Sequence, residues 1–349
     1  MRIWFFSVLY RFVRYLITNI LYFFQFIFFK QKNLEPAIVI GDRILGTFSI
    51  FSKIIYDFPI PQGKTVGVYD LEFPSPIISA SFKSEPKILD MWLRMGIGGI
   101  TLKTIMANKK IGNPFPRIQD IYYKNENGLI NSMGLPGPGI SEFIIELLGS
   151  SLWNYNRPIG ISIGGNSKEE YIDNIKQIHN NLIGKDANYF YEINISCPNT
   201  ESGQTISEDL FALENILFNI RLLLNDTISV KVSPDTENNK LKEIAEICLS
   251  FDNLMINAGN TKYMKATDVG VRASNFSMQG GGISGSPLFI RTLEMIKLFS
   301  KFNLPIIATG GISTVQHIDA ARENGALLFA MATSLVFDPY CIPLINSRL

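Results

Sequence analysis

The stretch Asn194-Ile195-Ser196-Cys197-Pro198-Asn199-Thr200 closes the apolar run 189–195, and its reading decides the fold. Pro198 cannot continue a hydrogen-bonded ladder. The run therefore reads as a strand that stops there and releases a thiol, with a carboxamide to either side, into a loop. Taken alone, the same residues describe a packed cysteine before an ordinary Pro-Asn turn. The surrounding chain has to supply a pocket and a cofactor site before the thiol acquires a chemical role.

Working outward, short apolar runs alternate with amphipathic helical patterns. Strands are expected at 76–81, 98–101, 159–163, 189–195, 228–232, 254–257, 305–309 and 327–332. Helices are expected at 85–94, 141–148, 168–183, 208–224, 241–249, 288–299 and 315–324. Ser167-x-x-Glu170 and Ser313-x-x-Gln316 read as capping boxes. Runs without polar alternation are what strands covered on both faces look like. Eight such units over roughly 270 residues predict a (β/α)8 barrel. A doubly wound open sheet is the alternative, but no GxGxxG follows the first strand.

A barrel demands functional groups at the C-terminal strand ends, and the sequence supplies them. Lys103 follows the second strand, Asn194 and Cys197 the fourth, and Lys231 lies near the end of the fifth. Asn257 ends the sixth, Gly310-Gly311 follows the seventh, and Thr333 follows the eighth. Gly280–Gly285 is expected to open the helix at 288–299, and Gly310 to Ser313 the next one. Backbone amides at these two helix starts suit the phosphate of a cofactor.

Composition sets limits. The 349 residues carry a formal net charge of +1, which gives no field for nucleic acid as a partner. Cys197, Cys248 and Cys341 are scattered, and His179 and His317 lie far apart on expected solvated helix faces, so no metal site is expected. Mean hydropathy is +0.15, and the apolar excess lies at the front. On a helix Ser7, Arg11, Arg14, Thr18, Tyr22 and Gln25 form one narrow polar stripe in an otherwise apolar surface. With a second amphipathic stretch at 44–58, this predicts a helical hairpin resting on a membrane surface through residues 1–32. Residues 1–60 are read as this membrane-associating segment and 61–349 as the barrel.

The blocks Gly112-Asn113-Pro114-Phe115-Pro116-Arg117, Asn131-Ser132-Met133-Gly134-Leu135-Pro136, Asn194 to Thr200, Val230-Lys231-Val232-Ser233-Pro234, Gly281 to Gly285 and Ala308 to Ser313 resemble, in order and spacing, the dihydroorotate dehydrogenase family. The resemblance spans about 66–337. It implies FMN as cofactor and oxidation of (S)-dihydroorotate to orotate in pyrimidine biosynthesis. Cys197 is then the general base. Lys103, Asn131, Met133, Gly134, Leu135, Asn194, Asn199 and Asn257 are the implied substrate contacts. Ala80, Ser81, Lys103, Asn194, Lys231, Asn257, Gly282, Gly285, Gly310, Gly311 and Thr333 are the implied FMN contacts.

A cysteine base resembles the soluble class that passes electrons to fumarate or NAD, whereas the N-terminus resembles the membrane class that uses a quinone. A quinone is the expected acceptor, at the cytoplasmic face of an inner membrane, and a homodimer is compatible with the resemblance. The alternatives are a soluble acceptor, a related dihydropyrimidine-type flavoenzyme, and a membrane-tethered flavin-binding barrel of little activity. Asn199 stands where the dihydropyrimidine enzymes usually have histidine. Gly137 and Ala332 depart from the soluble class, Ser79 to Lys83 lack the usual glycine, and the final helix is expected to be cut short.

Overall fold

The computed structural model describes residues 1–47, 51–185, 187–196, 206 and 208–349. Cys197, Pro198, Asn199 and Thr200 therefore lie outside the described residues, as do 48–50 within the expected second amphipathic stretch.

The chain opens with helices α1 (Arg2–Ile27), α2 (Glu35–Thr47) and α3 (Ser52–Ile55), then a hairpin of β1 (Val66–Val68) and β2 (Leu71–Phe73). Strand β3 (Ile77–Ser79) and helix α4 (Pro86–Arg94) begin the barrel. Strand β4 (Ile100–Ile105) leads into an excursion of two strands, β5 (Ile118–Tyr123) and β6 (Glu126–Asn131), before α5 (Ile140–Leu148). The units β7 (Ile159–Ile163)/α6 (Lys168–Leu182), β8 (Tyr189–Asn194)/α7 (Leu210–Leu223) and β9 (Ile228–Val232)/α8 (Asn238–Leu249) follow. After β10 (Leu254–Ala258) a second excursion, β11 (Lys262–Lys265) and β12 (Gly280–Gly285), precedes α9 (Phe289–Phe299). The chain ends with β13 (Ile306–Thr309), α10 (Val315–Glu323), β14 (Leu328–Met331), α11 (Thr333–Phe337) and α12 (Cys341–Asn346).

Eight strands run parallel in the order β3-β14-β13-β10-β9-β8-β7-β4. The sheet closes through the parallel bridge Ile78↔Gly99 and the bond from Ser79 N to Gly99 O at 3.1 Å. The result is the expected (β/α)8 barrel. Closure explains Gly98, because a Cβ there would lie 1.8 Å from the Ser75 carbonyl oxygen. Inside, Phe190, Met255, Ile307 and Leu328 pack on Val68, Leu71 and Phe73 of the β1–β2 hairpin, which plugs the lower end. Phe73 and Phe190 meet edge to face at 6.3 Å. Period-two alternation then carries β8 upward through Phe190, Glu192 and Asn194 on one face, while Tyr191 and Ile193 join the helix layer.

Several boundaries and roles differ from expectation. β4 extends to Ile105, so Lys103 lies within the strand rather than after it. Gly280–Gly285 does not open a helix. It forms β12, paired antiparallel with both β11 and β6, in a four-stranded sheet that flanks the barrel mouth. Glycine-rich sequence has no strand preference of its own, and pairing on both sides imposes the strand. Close approach demands the glycines: a Cβ on Gly281 would sit 2.3 Å from the Asn131 carbonyl oxygen. Ser167 caps α6 as expected, but Thr314, not Ser313, caps α10. His317 is not a solvated helix residue, since its ring stacks on Phe289 at 4.1 Å between centroids. The C-terminal residues are shortened but helical, with α12 packed on α1.

Helix α1 is inside-out for a water-soluble protein. Its polar stripe faces the barrel: Ser7, Thr18 and Gln25 are buried, Arg14 pairs with Asp120 at 2.7 Å, and Ser7 donates to the Asp338 carboxylate. Its apolar positions Trp4, Phe12, Leu16, Ile20, Phe23 and Phe24 are exposed. Among the described residues, no helix is long and apolar enough to cross a membrane.

Two carboxyls tie this helical pair down. Burial raises Asp338 above the ordinary carboxyl range, against the lowering influence of Ser7 and Arg11. Burial likewise raises Asp42, opposed by Lys83, with which it forms an ion pair. A folded pKa above the unfolded value means that the folded state holds the proton more tightly. That stability is complete below the unfolded value of about 3.9 and is lost as pH rises through the folded pKa. Asp338→Asn, which imitates the protonated form, should therefore gain stability relative to the parent as pH rises from about 4 to 7. Melting temperatures in matched buffers read this difference, and a gap independent of pH would contradict it.

Candidate active site

The barrel mouth holds a cleft of about 690 Å³ with its open side included. At one end are Gly285, Gly310 and Gly311 with the hydroxyls of Ser284, Ser286, Ser313, Thr333 and Ser334; at the other are Ala80, Ser81 and Lys231. Among the described lining residues Lys231 is the only charge, and no carboxylate is present. Small residues and neutral donors beside one cation suit an anionic ligand. Gly310 and Gly311 have φ of +123° and +77°, and a Cβ on either would clash at 2.5 and 2.7 Å with Thr292 and Phe289. Side chains there would push the loop into the cavity. Gly282 does not line this cavity; it pairs with Asn131 across β12 and β6, and its α-carbon faces Thr261.

Below the cavity lies a buried polar network centred on Glu192. Glu192 Oε1 accepts from Ser81 Oγ at 2.7 Å and Ser162 Oγ at 2.8 Å, while Oε2 accepts from Asn257 Nδ2 at 2.7 Å. Lys231 Nζ donates to Ser81 Oγ at 2.8 Å and lies 3.8 Å from Glu192 Oε1. Asn257 Oδ1 accepts from Thr309 Oγ1. Asn194 is equally occupied: its Nδ2 donates to Thr104 Oγ1 at 2.9 Å and its Oδ1 accepts from Ser196 Oγ. The structure thus brings Ser81, Asn194, Lys231 and Asn257 together, and spends the amides of both asparagines on barrel partners.

Sequence reading missed Glu192. The signal was present, because a single carboxylate two residues before Asn194 in an apolar strand shares its inward face. Ser162, Thr104 and Thr309 gave no signal, since isolated hydroxyls in strands are common.

The turn Asn131 to Pro136 lies beside the mouth. Gly134 and Leu135 both have positive φ, at +69° and +51°. The turn is clamped by Asn113, whose N–H donates to Met133 O and whose Nδ2 donates to Ser132 O. Arg117 supports Asn113 through its carbonyl and makes a bidentate pair with Glu35 of α2 at 3.0 and 2.9 Å. The helical pair is thereby tied to this turn. Lys103 sits in a β-bulge, where β4 and β7 lose register between Leu102 and Ile105. It lines a second cavity of about 750 Å³ with Glu85 and Pro136, separate from the one lined by Lys231. Burial lowers the Lys103 pKa, with Arg117 and Lys83 adding to the effect and Glu85 opposing it. Cys248 and Cys341 are buried, and burial raises both thiols, Cys248 to about 12, so neither is a nucleophile.

A third, mostly apolar cavity, about 770 Å³ with its open side included, lies between α1, α2 and the barrel. Val13, Ile17, Ile38, Leu45, Trp92 and Val336 line it. Phe82 lines both this cavity and the mouth cavity.

A closed (β/α)8 barrel that gathers its polar groups at the C-terminal strand ends has the architecture of a barrel enzyme. The family model described as dihydroorotate dehydrogenase matches residues 64–349, and the chain belongs to that family. Similar curated proteins include the dihydroorotate dehydrogenase (quinone) of Wigglesworthia glossinidia brevipalpis, 28% identical over 90% of this chain and 94% of the relative. The quinone form from Acinetobacter baylyi is 27% identical over 79% of this chain and 84% of its own. The dihydroorotate dehydrogenase B (NAD(+)) catalytic subunit of Caldicellulosiruptor bescii is 30% identical over 79% and 89%. The fold matches the Eimeria tenella DHODH crystallised with ferulenol, with a TM-score of 0.72, 20% identity, and 88% and 89% of the two chains covered.

Removing Glu35 leaves Arg117, whose side chain is only 8% exposed, without its counter-charge. Glu35→Ala should cost about 3 kcal/mol of stability. A denaturant titration measures it, and a loss below about 0.5 kcal/mol would show the pair to be superficial.

Proposed function

We propose that the chain oxidises (S)-dihydroorotate to orotate through FMN and passes the electrons to a quinone. The observation that carries the acceptor is the apolar cavity between α1, α2 and the barrel, which shares Phe82 with the mouth cavity. The exposed apolar face of α1 supports residence on a membrane surface, where such an acceptor dissolves. The similarity to the Wigglesworthia protein covers 90% of the chain, more than residues 64–349 alone supply, so it reaches into the helical segment.

FMN, when bound, would take the hydride from ring carbon 6 and release electrons one or two at a time. Gly285, Gly310, Gly311 and Thr333 would hold its phosphate and ribityl chain, and Ala80 and Ser81 would leave room for the ring. Lys231 would oppose the negative charge that reduction places on the ring's pyrimidine edge. On the substrate, the Cys197 thiol would remove the proton from carbon 5; its ordinary pKa of about 8.5 falls within reach of neutrality once polar neighbours lower it. Asn131 and Asn199 would grip the carboxylate and ring amides, with the main chain of Met133, Gly134 and Leu135. Lys103 would supply positive charge from the β4 bulge. Asn194 and Asn257 would form the floor, their amides fixed by Thr104, Ser196, Glu192 and Thr309.

Anaerobic addition of dihydroorotate to the yellow protein should bleach it. Cys197→Ala should bind FMN yet lose at least about 100-fold in bleaching rate, the range for removing a general base. Reduction at the parent rate would remove the thiol from the mechanism. The acceptor is tested by deleting residues 2–32, which should release the protein from vesicles and lower quinone turnover far more than turnover with a soluble dye. The NAD(+)-type relatives and the cysteine base favour a soluble acceptor as the second reading. Equal loss with both acceptors, or turnover with fumarate or NAD exceeding that with quinone, would establish that reading instead.

A further inference from the structure

Every hydrogen bond around Glu192 points toward it. Ser81 Oγ donates its one hydrogen to Glu192, so it must accept from Lys231 Nζ at 2.8 Å. Ser162 Oγ also donates to Glu192; at 2.9 Å from Thr104 Oγ1 it must accept. Thr104 in turn accepts from Asn194 Nδ2, whose Oδ1 receives the Ser196 hydroxyl. Asn257 donates Nδ2 to the same carboxylate, which fixes which way its amide points. Two directed chains thus converge on one group. One comes from Lys231 in the wall of the mouth cavity, the other from Asn260 in the same wall, through Ser196, the residue before Cys197. Glu192 and Lys231 have side chains only 1% and 5% exposed.

We infer that Glu192 is a positioning residue that sets the location and effective charge of Lys231, and through it the redox potential of the bound flavin. The inference rests on FMN occupying the mouth cavity as proposed above. A buried negative charge beneath the ring opposes accumulation of negative charge on reduction, and it holds the compensating ammonium back against Ser81. A glutamine cannot replace it silently. Whichever way its amide turned, the nitrogen would face a group that donates to Glu192 in the parent, and Lys231 would lose its counter-charge.

The test is the midpoint potential of FMN in Glu192→Gln and in the parent, by anaerobic dye-equilibrated titration in one matched buffer. The expected result is an upward shift of about 30 mV or more, equivalent to a tenfold gain in relative affinity for reduced FMN. An unchanged or lowered potential overturns the inference. If Glu192→Gln does not retain FMN, Glu192→Asp decides, since it draws the carboxylate back from Lys231 and Ser81 while keeping its charge; a rise supports the inference and no change overturns it. Melting curves of the apoproteins separate this from a general loss of fold. A parent protein that binds no FMN would overturn the functional reading itself, whereas FMN binding with no shift overturns only the role of Glu192.

Discussion

A carboxylate enclosed by a barrel has to be answered from every direction, and the Glu192 side chain organises the upper half of this one. Isolated in a low-dielectric interior it would be prohibitively costly. The cost is offset by Ser81 beyond β3, Ser162 on β7, Lys231 on β9 and Asn257 on β10. Below Glu192 the interior is hydrocarbon, sealed by Phe190, Phe73 and the β1–β2 hairpin. Above it are hydroxyls, amides and one ammonium. The boundary between a packed core and a reactive mouth therefore falls within β8, one inward residue apart.

A second constraint comes from the helical pair. By turning its polar stripe inward, α1 satisfies Ser7 and Arg14 against the barrel and Gln25 against the backbone of Asn33, and leaves many of its aromatic residues outside. The arrangement makes sense only where something apolar receives that face. Polar docking points include Asp338 at the C-terminal helices, Arg14–Asp120 at β5, Asp42–Lys83 beyond β3, and Glu35–Arg117 at the clamp of the Asn131 turn. Between these points an apolar cavity remains open. The helices thus touch both the wall shared with the mouth cavity and the support of the substrate turn.

Much of this was legible beforehand. Eight doubly covered strands leave no choice but continuous apolar runs, so the barrel could be read from them. The roles of strand ends follow from the same geometry, which is why Lys231, Asn194, Gly310 and Gly311 were found. The antiparallel excursion sheet was not legible. Gly280–Gly285 has no strand-forming residue except Ile283, and only β6 and β11 on either side make it a strand. Thr314 replaced Ser313 as a cap because both can serve and only the backbone path chooses.

The sequence by itself determined the barrel, the amphipathic front and the residue types at the mouth, because periodicity and strand-end placement are local properties. The tertiary structure decided which polar groups meet. Glu192 reads as one acidic residue in a strand until closure brings Ser81, 111 positions earlier, and Asn257, 65 later, to its two oxygens. It likewise decided that α1 presents its greasy side outward, since the polar stripe is the same on paper whichever way it faces. Long-range contacts fix these choices, and only a closed chain has them.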